Sequence, residues 1–187
     1  MGQTQQEISD RIIRDHVVWS MAAGLVPVPI ADMAAVSAVQ LDMLSKLATT
    51  HGVRFSLLDA KAVLSALVGG GAARIGANLL KLIPGAGTVI GGMSMSIASG
   101  ASTYAVGQVA VNQFASGQEL GAMSMEKARE LYAQAFKKGE EVAKSMEPET
   151  EGVDVFAKIE RLGELKEQGL LTEDEFKLQK QKLLERV

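Results

Sequence analysis

Apolar residues recur along most of the chain at the three-to-four-residue spacing of helices, and few segments show the alternation of a strand. Near the N-terminus, Ile13, Val17 and Met21 form one apolar row of a helix predicted over residues 6–25. This helix ends before a turn that contains two prolines, because proline cannot continue a helix. The pattern predicts an all-α protein.

The second predicted helix covers residues 31–50 and has an apolar stripe on one side. Leu47 lies outside this stripe, and the charged side is the pair Asp42 and Lys46. An acidic residue followed four residues later by a basic one is typical of a solvated helix face. Both charged side chains are therefore expected at the surface.

Helix caps and turns are predicted in the next part of the chain. Gly52 is the predicted C-cap of the second helix, and Ser56 is the predicted N-cap of a short helix that reaches Val68. A further helix is predicted over residues 72–82. The predicted turn residues between helices are Pro27, Pro29, Pro84, Gly85 and Gly87.

The two proline turns suggest an internal repeat. Pro29 and Pro84 are 55 residues apart, and so are Gly52 and Gly107. Each proline follows one helix and precedes a long apolar one. We interpret this spacing as a duplicated helix–turn–helix hairpin, which makes the front of the chain a Gly/Ala-rich bundle with proline-turn hairpins.

Residues 82–118 carry no charge and are rich in Gly, Ala and Ser. The stretch exceeds the ~20 residues that cross a bilayer. Small residues at every fourth position also let another helix approach closely, either in a membrane or in a tightly packed soluble bundle. Both interpretations stay open. The predicted helix-packing or membrane residues are Gly91, Gly92, Ser96, Gly100 and Gly107.

The C-terminal third is amphipathic and densely charged. An amphipathic helix is predicted over residues 121–147, an acidic linker over 148–153 and a helical hairpin over 154–187, all behind a first domain of residues 1–120. Gly169 ends the first helix of the hairpin. Thr172 and Glu175 have the spacing of a capping box at the start of the second helix.

Charge and composition exclude several classes of function. Residues 1–118 hold seven basic and six acidic side chains, and residues 119–187 hold twelve basic and sixteen acidic. No part has the basic excess that nucleic-acid binding requires. The chain has no cysteine, and its two histidines, His16 and His51, are far apart in sequence, so no metal site is expected. The glycines after Pro84 lack the Lys and Ser or Thr of a phosphate-binding loop, and no cofactor is expected.

The hairpin sequence resembles the SHOCT (short C-terminal) domain. The matching pattern is a Leu-x-x-Leu helix followed by Gly, two hydrophobic residues, Thr-Glu-x-Glu and Phe, as found between Leu162 and Phe176. The resemblance implies a role in oligomerisation. The apolar residues that it assigns to this role are Ile159, Leu162, Leu165, Leu171, Phe176, Leu183 and Leu184.

Residues 10–118 resemble the bacterial domain of unknown function 697, the YcjF-like family. The resemblance implies a helical domain that occurs in inner-membrane proteins and behind small GTPase domains, with no catalytic residue to carry over. The residues that support it are Pro29, Asp32, Gln40, Met43, Gly52, Pro84, Gly85, Gly87 and Gly107.

These features lead to two hypotheses for function. The first is a non-enzymatic, membrane-associated module that assembles with itself and contacts membrane lipid. The second is a soluble regulatory adaptor that binds a small GTPase or another protein partner. The N-terminus is polar and lacks the apolar core of a signal peptide. We therefore expect the protein at the cytoplasmic face of the inner membrane or in the cytoplasm, and not secreted.

Overall fold

The computed structural model describes residues 4–23, 31–69, 95–151 and 155–185. These parts of the chain form helices and no strand, which confirms the all-α class. The α-helices are α1 (Gln5–Ala23), α2 (Ala31–Thr50), α3 (Leu57–Leu64), α4 (Met95–Phe114), α5 (Met125–Glu151), α6 (Val155–Glu167) and α7 (Glu173–Leu184). A π-helical turn, Ser65–Gly69, follows α3, and a 3₁₀ turn, Leu120–Ala122, precedes α5.

Several sequence predictions fall outside the described residues. They are the helix over 72–82, the two turns of the proposed repeat, and the predicted site residues Pro27, Pro29, Pro84, Gly85, Gly87, Gly91 and Gly92.

Helices α1, α2, α4 and α5 form a four-helix bundle, hereafter the bundle. The side chain of Gln5 at the start of α1 donates to the carbonyl of Thr50 at the end of α2, so these helices are antiparallel. Ser96, at the start of α4, donates to the carbonyl of Met21 near the end of α1, which makes α1 and α4 antiparallel too. Helix α2 therefore runs parallel to α4.

Helix α4 lies at the centre of the bundle and packs against α1, α2 and α5. Most of its residues are buried, including small ones such as Ala101, Ala105 and Ala110. Helix α4, which covers residues 95–114 of the uncharged stretch 82–118, is thus the centre of the protein core. Among the described residues, no helix is both long enough and apolar enough to cross a membrane.

Local capping signals in the sequence are confirmed where the structure describes them. Ser56 accepts a hydrogen bond from the backbone N–H of Asp59 at the start of α3, at 3.3 Å. Gly52 has a left-handed φ of 66° directly after α2, and Gly169 has a φ of 71° after α6. Thr172 and Glu175 form the expected capping box at the start of α7.

Two helix ends differ from the predictions. Helix α3 ends at Leu64, and the predicted remainder to Val68 continues as the π-helical turn. Helix α5 continues through Pro148 to Glu151, into the segment predicted to be an acidic linker. A proline removes one hydrogen bond from the helix ladder, but this 27-residue helix continues for one further turn to Glu151.

Helices α6 and α7 form the C-terminal hairpin, hereafter the hairpin, and it packs onto α1 and α2. Leu162, Leu165, Leu171 and Leu183 share one apolar cluster with residues of α2. The bundle therefore covers the apolar stripes of the hairpin.

Helix α2 is buried on more than one side as a result. Leu47 is fully buried against the bundle core, although the sequence places it outside the apolar stripe. Ala35, Ala38 and Val39 face the hairpin. A single apolar stripe cannot describe a helix that lies between two packed layers.

Candidate functional site

The most unusual group of side chains surrounds Asp42, at the boundary between the bundle and the hairpin. Asp42 is 3% exposed, and its Oδ2 atom accepts hydrogen bonds from three basic residues. His16 Nε2 lies at 3.0 Å, Lys46 Nζ lies at 2.8 Å, and Arg161 Nη2 makes the third contact. The prediction that Asp42 lies on a solvated face of α2 is wrong.

Three different elements bring these side chains together. His16 comes from α1, Asp42 and Lys46 come one turn apart from α2, and Arg161 comes from α6. The antiparallel pairing of α1 and α2 places His16 opposite Asp42, and the docked hairpin places Arg161 above them. The cluster exists only when the hairpin is on the bundle.

The ring of His16 lies between two oxygen atoms. Its Nδ1 lies 2.6 Å from the carbonyl oxygen of Ile12, and its Nε2 lies 3.0 Å from the carboxylate of Asp42. These two contacts fix the orientation of the imidazole between α1 and α2.

The surrounding charges decide the ionisation of Asp42. Burial by itself would raise its pKa, but hydrogen bonds from His16 and Lys46 and the charges of Arg161 and Lys46 lower the pKa well below its ordinary value. A carboxylate with a lowered pKa is a weak base, and three donors already occupy its Oδ2. This geometry suits the attachment of charged side chains across an interface better than proton transfer.

Arg161 links the buried cluster to the surface. Its Nη2 binds Asp42, its Nη1 binds Glu164 Oε2 at 2.6 Å, and its side chain is 13% exposed. Its Nε is buried without a hydrogen-bond partner, and so is Nε2 of Gln179 on α7. Both residues line a cavity of about 30 Å³ between the hairpin and the bundle.

A surface cleft of about 390 Å³ opens beside the cluster. Its lining includes Trp19 of α1 as well as basic side chains of three helices. Its ionisable lining residues are Arg14, Asp15, His16, Lys46 and Arg161.

A second polar group lies deeper in the bundle. Gln40 Nε2 donates to Ser102 Oγ at 3.2 Å and to Thr103 Oγ1 at 3.1 Å, and the hydroxyl of Tyr132 donates to Ser102 Oγ at 3.0 Å. Burial raises the pKa of Tyr132, against a smaller opposite effect of the Ser102 hydrogen bond. These contacts tie α2 and α5 to α4 and fix the register of the central helix.

The small residues predicted on residues 82–118 lie at close helix contacts wherever the structure describes them. A Cβ on Gly100 would lie 2.6 Å from Met21 Cγ, and a Cβ on Gly107 would lie 2.7 Å from Ile13 Cγ1. Ser96 makes its hydrogen bond to α1. Gly139 on α5, which the sequence did not single out, differs because a Cβ there would meet a backbone atom, the oxygen of Ala101, at 2.7 Å.

The residues assigned to oligomerisation have different environments. Leu162, Leu165, Leu171 and Leu183 are buried between the hairpin and α2, and Ile159 and Phe176 pack against the same cluster. Leu184 is 44% exposed. A role for these residues in oligomerisation stays a prediction.

Neither histidine is isolated in the structure. His16 binds Asp42, and His51 lies 3.0 Å from Ser9 Oγ and against the ring of Phe114. Burial lowers the pKa of His51. Within the described ranges, no group of three His, Cys, Asp or Glu side chains is placed to hold a metal ion.

Sequence reasoning missed His16, Asp42 and Arg161 as a group. One signal was present, because His16 falls three residues after Ile13 and four before Ser20, on the buried face of α1. No local signal pairs Asp42 with Arg161, since the two residues are separated by 119 positions.

Comparison with known proteins assigns the front part of the chain to a family. The model of a family described as a domain of unknown function (DUF697) matches residues 1–141. The chain belongs to this family. The matched residues contain α1 to α4 and the first part of α5, whereas α6 and α7 lie beyond them. The cluster at Asp42 therefore joins the DUF697 domain to the hairpin that follows it.

One known protein is similar to most of the chain. It is Magnetosome membrane protein 22 of Magnetospirillum gryphiswaldense, which is 36% identical over 153 residues. The aligned region covers 79% of this chain and 78% of that protein. No solved structure matches the chain significantly.

Proposed function

We propose that this protein is a non-enzymatic helical module that associates with a membrane at its cytoplasmic face and assembles with itself. The observation that supports membrane association most directly is the similarity to a magnetosome membrane protein over most of both chains. The membrane that we propose is the inner membrane, because the resemblance of residues 10–118 is to a family that occurs in inner-membrane proteins.

The packing of α4 restricts how the protein meets lipid. Helix α4 is surrounded by α1, α2 and α5, so its small-residue face is not available to a bilayer. We therefore assign the attachment to a surface outside the bundle core. Residues 82–94, the uncharged part of the stretch that precedes α4, are the first candidates.

Self-assembly is proposed from the hairpin. Its sequence between Leu162 and Phe176 resembles an oligomerisation domain. The absence of an enzymatic role is proposed because Asp42, a buried carboxylate beside the cleft, already has three basic partners.

The burial of α4 also supports the alternative function. A soluble adaptor for a small GTPase or another protein partner requires the uncharged stretch to be core, and residues 95–114 are core. In that case the cleft and the hairpin would present the binding surfaces.

Membrane fractionation separates the two functions. The full-length protein is expressed in a bacterium, and the membrane pellet is washed in turn with high salt, carbonate and detergent. The proposal expects the protein in the pellet, with release by carbonate indicating peripheral attachment and release only by detergent indicating insertion. Recovery entirely in the soluble fraction would contradict membrane association and favour the adaptor.

A pair of variants tests where attachment occurs. Ile90→Lys places a charge in residues 82–94, and Leu58→Lys places one at a side chain that is 79% exposed on α3. We expect Ile90→Lys to move most of the protein to the supernatant, while Leu58→Lys leaves the distribution unchanged. Equal behaviour of the two variants would exclude residues 82–94 as the attachment segment.

A further inference from the structure

The hairpin covers one defined area of the bundle, hereafter the docking face. On α2 the docking face is formed by Ala35, Ala38 and Val39, and on α1 it is bordered by Trp19 and Ala23. The small side chains of α2 allow the leucines of the hairpin to pack close to the helix. Asp42 at one edge of this face binds Arg161 of the hairpin, so shape and charge both select this partner.

The hairpin is organised as a unit of its own. Its two helices contact each other, its second helix has a complete capping box, and Lys166 on α6 lies 3.3 Å from Glu173 on α7. Lys166 also lies over the ring of Phe176. These contacts all lie inside the hairpin, so they are retained if the hairpin leaves the docking face.

The contact between the hairpin and the docking face contains buried donors without hydrogen-bond partners and a small cavity. Two buried donors, Nε of Arg161 and Nε2 of Gln179, have no hydrogen-bond partner, and leaving a buried donor unpaired is unfavourable. The cavity of about 30 Å³ that these residues line leaves part of the apolar surface without contact. Both features weaken docking relative to a well-packed core.

The connection between bundle and hairpin is short. Three residues, 152–154, separate the end of α5 from the start of α6. A connection of only three residues favours exchange between copies, because a short connection constrains docking within one chain more than docking onto a second molecule.

We propose that the hairpin of one copy docks on the docking face of a second copy, making in trans the contacts that it makes here within one chain. Arg161 of each copy then completes the Asp42 cluster of the other. This inference rests on the proposed self-assembly and names its surface. The exchange is reciprocal, so it produces a closed dimer rather than an open chain.

Crosslinking between single cysteines tests the exchange, and the chain has no cysteine of its own. Lys46 and Glu164 are suitable sites because each contacts the Asp42–Arg161 pair and the two side chains are 46% and 51% exposed. Full-length Lys46→Cys and Glu164→Cys chains, with different tags, are co-expressed, purified through both tags and treated with a short bis-maleimide. We expect a covalent heterodimer.

Two controls accompany the mixture. A single chain with both substitutions, Lys46→Cys and Glu164→Cys, reports whether the two sites face each other at all. A mixture of Lys127→Cys and Glu164→Cys chains should give no crosslink, since Lys127 begins α5, about 35 Å of helix away from the end that leads to the hairpin.

The remaining outcomes separate the inference from the proposed function. If light scattering shows a dimer but the crosslink forms only inside the doubly substituted chain, the protein assembles through another surface and the inference is wrong. If the protein is monomeric and crosslinks only within itself, self-assembly is wrong as well. No crosslink in either sample would show that the hairpin is not docked at Asp42, which also overturns the inference.

Discussion

At the scale of single residues, Asp42 shows how tertiary structure changes the meaning of a local pattern. Its spacing from Lys46 is that of a surface ion pair, and Lys46 is indeed partly exposed. Asp42 itself is buried because α1 and the hairpin cover it from two sides. A buried carboxylate is stable only with partners, and His16, Lys46 and Arg161 supply them.

Asp42→Asn should destabilise the protein strongly. The substitution leaves the charge of Arg161 without the Asp42 counter-ion, and breaking a fully buried pair typically costs about 3–5 kcal/mol. We expect a loss of about 3 kcal/mol here, because Lys46 can turn to solvent. Chemical denaturation measures it, with Asp15→Asn, an exposed acid on α1, as the control that changes stability by less than about 0.5 kcal/mol. Equal stability of the two variants would show that the cluster contributes nothing.

The same substitution should alter the response to acid. The pKa of Asp42 is lowered in the folded protein, so its contribution is complete above its ordinary value of 3.8 and is lost as the pH falls below it. His16, Lys46 and Arg161 all face this carboxylate and keep it ionised. The difference in free energy of unfolding between wild type and Asp42→Asn should therefore shrink as the pH falls below 3.8. A difference that grows in acid would contradict the assignment.

At the scale of helices, the close approach of α1, α4 and α5 depends on residues without side chains. Gly100 and Gly107 contact flexible side chains of α1, namely Met21 and Ile13, which can adjust. Gly139 faces the backbone of α4, which cannot adjust in this way. The spacing of small residues indicated the close packing of α4, and only the structure identifies Gly139 as the position where a side chain would meet backbone.

Gly139→Ala and Gly163→Ala should therefore have opposite effects. Both glycines are helical, so each substitution gains up to about 1 kcal/mol of helix propensity. At Gly139 the new Cβ would lie 2.7 Å from the oxygen of Ala101, and we expect a net loss of about 1–3 kcal/mol from overpacking. At Gly163 the nearest atom is 4.0 Å away, and we expect a small gain. Thermal unfolding measures both, and a stabilising Gly139→Ala would show that α4 and α5 have room to separate.

At the scale of the whole molecule, the described residues form two apolar clusters of different size. The larger one joins α1 to α5 around α4, and the smaller one joins the hairpin to α1 and α2. The smaller cluster contains the two unsatisfied donors and the interface cavity. The hairpin should therefore detach before the bundle unfolds.

Hydrogen exchange should show this order. Amides of α4 are expected to exchange slowest, and amides of α6 and α7 faster. Arg161→Ala removes the ionic contact with Asp42 and should increase exchange several-fold in α6 and α7 while leaving α4 unchanged. Lys180→Ala, an exposed substitution on α7, is the matched control. Protection of the hairpin equal to that of α4, and insensitive to Arg161→Ala, would make the two clusters one cooperative unit.

The sequence by itself determined the features that depend on neighbours in the chain. The all-α class, the rows of Ile13, Val17 and Met21, and the caps at Ser56, Gly52, Gly169 and Thr172 all follow from spacings of four residues or fewer. Family membership also followed from local motifs of the front domain.

Only the tertiary structure decided which of these surfaces meet. It placed residues 95–114 in the core, covered the leucines of the hairpin with α2, and brought Arg161 to Asp42. An uncharged helix and an amphipathic hairpin each need an apolar partner, but their sequences do not say whether that partner is lipid, another copy or the same chain. That choice depends on shape and charge contributed by residues far apart in sequence.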